Sequence, residues 1–379
     1  MNSVPFPSES DVLLEPPTAE EVRRLGDGVL TAIAPTGGRT EFQELLVASA
    51  FESLTGHVID ASAAAVVEPQ EWAAGLARRN EAFRSRILQT MILGALVLRP
   101  LPESVAQRIG DFARAMSVDD GMLAVTQRFA QGQLGLAAVD FDRNGYTSDW
   151  GDDRAEALHT STELEDAWAL AEDDPDLAAK WAALEHLPAG SLGRRMWEFY
   201  RARGFAFPGS PGSAPPLLAQ HDWVHVLADY GTKVESELEI FAFIARANDD
   251  PRGFALLAMV VSLFETGYLE SGAGLFEAFP GQLSRDGMAV RVADALRRGA
   301  LSHGRGGEPD VDFLGLDWFE IAHQPVDELR VGFNIVDKDA RAIEAGSVGP
   351  WEVGGISEYQ HRTAMEAAGA GYDSYGATP

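Results

Sequence analysis

The chain has 379 residues, no cysteine and a formal net charge of −28. That charge excludes nucleic acid as a partner, because neutralising phosphates takes clustered Lys and Arg, and it opposes general attraction to anionic membrane surfaces. The missing thiols exclude disulfides and thiolate metal sites and fit a cytoplasmic protein.

This length predicts two domains, and an apolar share of 46% is ordinary for packed cores. Residues 1–40 are expected to be mostly a flexible arm. Their first 21 positions are rich in Pro, Ser and Glu rather than built as a basic-then-apolar leader. A short helix is expected within this arm over 20–34, where Val22, Leu25, Val29, Leu30 and Ile33 recur at helical spacing. Pro35-Thr36-Gly37-Gly38 then breaks the chain.

Residues 41–147 read as one helical bundle. Phe42, Leu45, Leu46, Ala50 and Leu54 form the first apolar stripe, and Trp72, Leu76, Phe83, Ile87, Leu88, Met91 and Ile92 the next. A helix opens at Pro102-Glu103-Ser104, and another is expected over 122–141. This stretch loosely resembles the tellurite-resistance TerB-like helical domain, a likeness that implies architecture only. His57 and Asp60 follow an apparent helix end at Gly56, where capping explains them as well as chemistry does. Residues 148–178 are strongly acidic and are taken as the linker between domains.

The second domain is expected over 179–340, followed by a loose tail over 341–379. The apolar runs at 91–98 and 254–264 fall far short of the roughly 20 residues that span a bilayer. Strand-like alternation is scarce and no phosphate-binding Gly-rich loop or nucleophile elbow is present, so the expected fold is all-α. Three lysines against 27 arginines point to a GC-rich bacterial source.

The chemistry concentrates in His221-Asp222-Trp223-Val224-His225, with Glu237 twelve positions further on. On a helix, His221 and His225 at i and i+4 project from one face within reach of one ion. Asp229-Tyr230-Gly231-Thr232 reads as a turn, which puts Glu237 in the early part of a second helix facing back. Two imidazoles and two carboxylates suit zinc first, then manganese, cobalt or ferrous iron. His221, Asp222, His225 and Glu237 are therefore the expected metal ligands. A carboxylate that does not ligate, Asp222 or Glu237, is the natural proton shuttle; no other catalytic residue is assigned.

His-Asp-x-x-His followed by Glu resembles the metal signature of the coenzyme Q biosynthesis protein 4 family. Upstream, Leu187-Pro188-Ala189-Gly190-Ser191-Leu192-Gly193 with Trp197, Phe199 and Tyr200 resembles a second segment of that family. Downstream, Asp317-Trp318-Phe319-Glu320 and Pro325-Val326-Asp327-Glu328-Leu329-Arg330 resemble its C-terminal segments, so the likeness spans about 181–335. Two departures stand out. Leu218-Ala219-Gln220 occupies positions where the family carries Arg and Glu, and Ser236 stands where it carries Gly.

The resemblance implies a part in ubiquinone or related isoprenoid-quinone biosynthesis: metal-dependent replacement of the C1 carboxyl of a prenylated aromatic acid by hydroxyl, or organisation of the pathway's other proteins. It implies a pocket for the prenyl tail, for which Phe254, Leu257, Val261 and Phe264 are the candidate walls and Arg291 and Arg298 the candidate headgroup contacts. Peripheral contact at the inner face of the cell membrane and a homo-oligomer are expected with it. Two rival readings are a metal-braced prenyl-lipid scaffold without catalysis, and a metal-dependent hydrolase. The hydrolase needs a further His and Asp, and His159 and His186 lie in no context that supplies them.

Overall fold

In the computed structural model, residues 15–98, 101–118, 123, 126, 173–211, 213, 216–248, 257, 261 and 286–368 are described. Among them the fold is all-α, as expected: there are helices and no strand, only an isolated bridge between Ser191 and Pro325. None of these helices is long and apolar enough to cross a membrane. The chain divides into two compact units, 1–146 with 249–266, and 147–248 with 267–379.

The first unit holds α1 (Ala19–Ile33), α2 (Glu41–Thr55), α3 (Pro69–Ala74), α4 (Glu81–Leu96) and α5 (Glu103–Met116). Here one expectation is corrected: α1 belongs to the core of the unit and not to an arm. It packs on α2, α4 and α5, and Val22, Val29, Leu30 and Ile33 are fully buried. Burial of each such side chain contributes about 1.5–3 kcal/mol, more than a short polar arm can forgo. Thr18 caps α1 by accepting from the Glu21 amide, and Thr40 and Gln43 form a capping box on α2. The Gln43 carboxamide is fully buried and donates to the carbonyls of Ile33 and Gly94, which ties α1 and α4 to α2. The buried face of α2 accordingly runs through Gln43, Leu46, Val47, Ala50 and Phe51, while Leu45 is exposed. Trp72 lies over Gly28 and its indole N–H donates to the Arg24 carbonyl at 2.6 Å. Asp60 caps the short 3-10 turn Ala61–Ala63, which accounts for it without chemistry.

The second unit holds α6 (Pro175–Ala182), α7 (Leu192–Arg203), α8 (Pro216–Ala228), α9 (Val234–Ala247), α10 (Met288–Leu301), α11 (Trp318–Ile321), α12 (Val326–Gly332), α13 (Ala340–Glu344) and α14 (Glu358–Ala368). A second expectation is corrected here, because 341–368 is packed and not a loose tail. Arg203, fully buried, donates to the Pro350 and Gly355 carbonyls and to Thr232 Oγ1. Gly204, at φ 70°, lets α14 approach so closely that an added Cβ would meet the Ala364 backbone nitrogen at 2.7 Å. Repeated glycine marks close backbone approach here, not slack chain.

The expected pocket walls divide. Leu257 and Val261 are buried and belong to the first unit, whereas the histidines and Glu237 belong to the second. An all-apolar helical run is buried wherever an apolar face is offered, and its sequence does not say which face. Phe254 and Phe264, most of the acidic 148–178 stretch, the expected helix over 122–141 (apart from residues 123 and 126) and the first 14 residues lie outside the described residues.

Candidate metal centre

α8 opens at Pro216, a first-turn position where the missing amide N–H costs nothing. Trp223, Val224, Val226 and Leu227 are buried along it. It ends at Asp229, which takes a left-handed φ of 64°, and the Tyr230 amide donates to the His225 carbonyl at 3.0 Å. The chain then turns into α9, whose first turn carries Glu235 and Glu237, acids that suit the positive end of the helix dipole. The turn is braced by the C-terminal segment: Gly231 donates to the Val348 carbonyl and Thr232 to the Gly355 carbonyl. A Cβ on Gly231 would meet the Gly355 Cα at 2.8 Å, so the closeness requires glycine.

This hairpin brings His221, His225 and Glu237 together, with one ligand atom from each within 4.8 Å of the others and all three side chains buried. Glu237 Oε2 lies 3.3 Å from His221 Nε2 and 3.3 Å from His225 Nε2. His225 Nδ1 lies 3.3 Å from the Tyr230 carbonyl oxygen, which can only accept, so Nδ1 is the donor. In the neutral ring Nε2 therefore presents a lone pair toward a carboxylate oxygen, and it has no hydrogen-bond partner. Glu237 Oε1 is likewise buried without a hydrogen bond. With the imidazoles neutral, these converging lone pairs could hold a metal ion, and the nitrogen–oxygen donor set fits a divalent one. Burial by itself would push the Glu237 carboxyl up, but His225 and His221 hold it down at about 2.

Asp222, the fourth expected ligand, is not among the three residues whose ligand atoms cluster this closely. One residue after His221, it projects about 100° around the helix from the shared face. Its Oδ2 accepts from the Tyr200 hydroxyl at 2.6 Å, and its Oδ1 is 3.5 Å from His221 Nε2. Burial raises the Asp222 pKa, against the opposing pull of His221, His225 and Tyr200. Tyr200 itself is pushed well above its ordinary pKa by burial and then by the Asp222 charge. Nothing in the sequence alone marks Tyr200 as this partner, since it lies on another helix 22 positions away.

Arg291 and Arg298, the expected headgroup contacts, are buried in the second unit. Arg291 pairs with Glu239 at 2.5 Å, and Arg298 donates from Nε to the Val336 carbonyl at 2.8 Å. Both face inward on α10, which is buried against α9.

The other distinctive segments converge on α8. Leu192 and Gly193 donate through their amides to the Gln324 and Ala322 carbonyls, and Val326 donates to Gly190. The Trp318 ring lies parallel to Trp223, at an interplanar angle of 6° and 6.0 Å between centroids. Arg330 donates to the Leu227 and Val226 carbonyls, which closes the C-terminal end of α8. Comparison with models of known families, with curated protein sequences and with solved structures found no match to this chain.

Proposed function

We propose that the second unit binds one divalent metal through His221, His225 and Glu237, and acts on the carboxylate or phenol end of a prenylated aromatic acid in isoprenoid-quinone biosynthesis. Zinc is the first candidate, with manganese, cobalt or iron next. The observation that carries the metal reading is the pair of unpartnered atoms, His225 Nε2 and Glu237 Oε1, buried beside a third ligand. The substrate reading rests on the resemblance of the four segments to the coenzyme Q biosynthesis protein 4 family, and on their meeting at α8.

Three protein ligands leave a coordination position for substrate, the arrangement typical of a catalytic site and not of a closed structural one. When bound, such a metal polarises a carboxylate or phenolate oxygen. The residues of the chain orient and protect that position. Tyr230 fixes the His225 tautomer through its carbonyl, and Tyr200 holds Asp222 beside His221. Asp222, buried and raised in pKa, is the proton-holding group nearest the ligands. Loss of the carboxyl as carbon dioxide and gain of a ring hydroxyl takes one dioxygen, two electrons and two protons, and leaves one water. The reductant must come from outside the chain.

A scaffold whose metal only braces the α8–α9 hairpin is the second reading, favoured by the depth of burial of all three ligands. The test is metal analysis of the purified protein beside His221→Ala and Glu237→Ala, with lipid extracted from the same samples. One equivalent of metal lost in both variants, with a prenylated aromatic lipid in the native sample, is the expected result. Metal absent from the native protein after reconstitution overturns the metal reading. Metal present without any exchangeable ligand position, by water-proton relaxation of the manganese or cobalt form, favours the scaffold.

A further inference from the structure

In the first unit a cleft of about 800 Å³ runs between α1 and the segment from Val66 to Arg79 that carries α3. That volume falls within the roughly 300–1,000 Å³ of ligand-binding clefts. Its two walls are antiparallel. Arg79 Nη2 donates to Glu21 Oε2 at 2.6 Å, the Trp72 indole to the Arg24 carbonyl at 2.6 Å, and the Ala65 amide to Asp27 Oδ1 at 2.9 Å. Positions ascending along α1 therefore meet positions descending along the opposite wall. Leu25, Trp72 and Leu76 give the cleft an apolar lining.

Most charges in the cleft are already met. Glu21 accepts from Arg79 through both carboxylate oxygens, at 2.7 and 2.6 Å, and Glu20 pairs with Arg24 at 2.6 Å. Asp27 accepts from the Ala65 amide and pairs with Arg23 at 3.3 Å. Three exposed side chains that line the cleft, Glu68, Glu71 and Arg78, have no hydrogen bond or ion pair among the described residues. The pairings of the walls place them toward opposite ends, Arg78 at the level of Glu21 and Glu68 near that of Asp27. Those levels are about 9 Å apart along α1, a distance that extended chain covers in about three residues. At the acidic end Val66 is 84% exposed, and neither its amide nor its carbonyl makes a hydrogen bond. Its neighbours are held, the Ala65 amide by Asp27 and the Val67 amide by Thr31 Oγ1 at 3.3 Å, so the stretch is fixed with Val66 left open. A ligand that meets all of these groups carries a cation and an anion about three extended residues apart, apolar groups between them, and a backbone for Val66. An extended peptide has all of these. Residues 1–14, which lead toward α1, contain no Lys, Arg or His and do not supply the cation.

We propose that this cleft docks an extended segment of a partner protein, with a basic side chain over Glu68 and Glu71 and an acidic side chain at Arg78. The site lies in the first unit and does not rest on the metal reading. The test pans a displayed random hexapeptide library against the full-length protein. Native protein is expected to enrich peptides with Lys or Arg about three positions from Asp or Glu and apolar residues between them. Arg78→Glu is expected to exchange the selected acid for a base. The double variant Glu68→Gln, Glu71→Gln is expected to bind the native-selected peptides at least fivefold more weakly by calorimetry. All three positions are exposed, so the variants are expected to keep the native thermal midpoint. With a selected peptide bound, exchange of the Val66 amide is expected to slow. No enrichment on native protein, a motif unchanged in Arg78→Glu, or equal affinity in native protein and the double variant would each overturn the proposal.

Discussion

The Tyr200 hydroxyl donates to Asp222 Oδ2 over 2.6 Å, joining α7 to α8 one residue from His221. The bond holds Asp222 beside the cluster of His221, His225 and Glu237. Tyr200→Phe leaves a buried carboxylate short of one donor, with an expected cost of about 1–3 kcal/mol by urea unfolding. Asp222→Asn keeps an acceptor for Tyr200, so it is expected to retain one equivalent of metal by elemental analysis. Metal lost in Asp222→Asn would restore the four-ligand arrangement.

The acid limb of stability reports on Glu237. Its folded pKa of about 2 lies below the ordinary 4.5, so its contribution is fully present above about 4.5 and is lost as pH falls toward about 2. In metal-free protein, the stability difference between native chain and Glu237→Gln should therefore shrink across that window. Chemical denaturation at a series of pH values measures it. A difference that stays constant from pH 5 to pH 2.5 would contradict the pairing of Glu237 with the two histidines.

Gly28 sits under the Trp72 indole, and a Cβ there would meet ring atoms at 2.0 Å. Gly28→Ala must push Trp72 off α1 and break its 2.6 Å bond to the Arg24 carbonyl. We expect a loss of about 1–3 kcal/mol in the first unit, read from tryptophan fluorescence during unfolding, with metal content unchanged.

Arg203 clamps the C-terminal segment to α7 and to the hairpin turn through Thr232, Pro350 and Gly355. Arg203→Met keeps the bulk and removes these donors, leaving buried carbonyls unmet. Hydrogen exchange is expected to rise throughout 348–360, together with weaker metal retention, because Gly231 and Thr232 lose their brace. Unchanged exchange in 348–360 would mean that the backbone bonds of Gly231 and Thr232 hold the segment alone.

Much was legible in the sequence by itself. Apolar residues at helical spacing define α1, α4 and α5, and the i, i+4 placement of His221 and His225 follows from the pitch of a helix. The turn residues at Asp229–Thr232 put Glu237 on the returning helix, since so short a connection forces an antiparallel neighbour. Periodicity and turn chemistry are local, and a linear chain carries them in full. The tertiary structure decided what depends on partners far along the chain. It gave Asp222 to Tyr200, turned Arg291 inward onto Glu239, put α1 at the centre of the first unit and folded 341–368 onto the α8–α9 hairpin. Charged and glycine-rich stretches look the same in sequence whether water or another segment meets them. The free energy that distinguishes those outcomes comes from contacts formed only when distant segments pack.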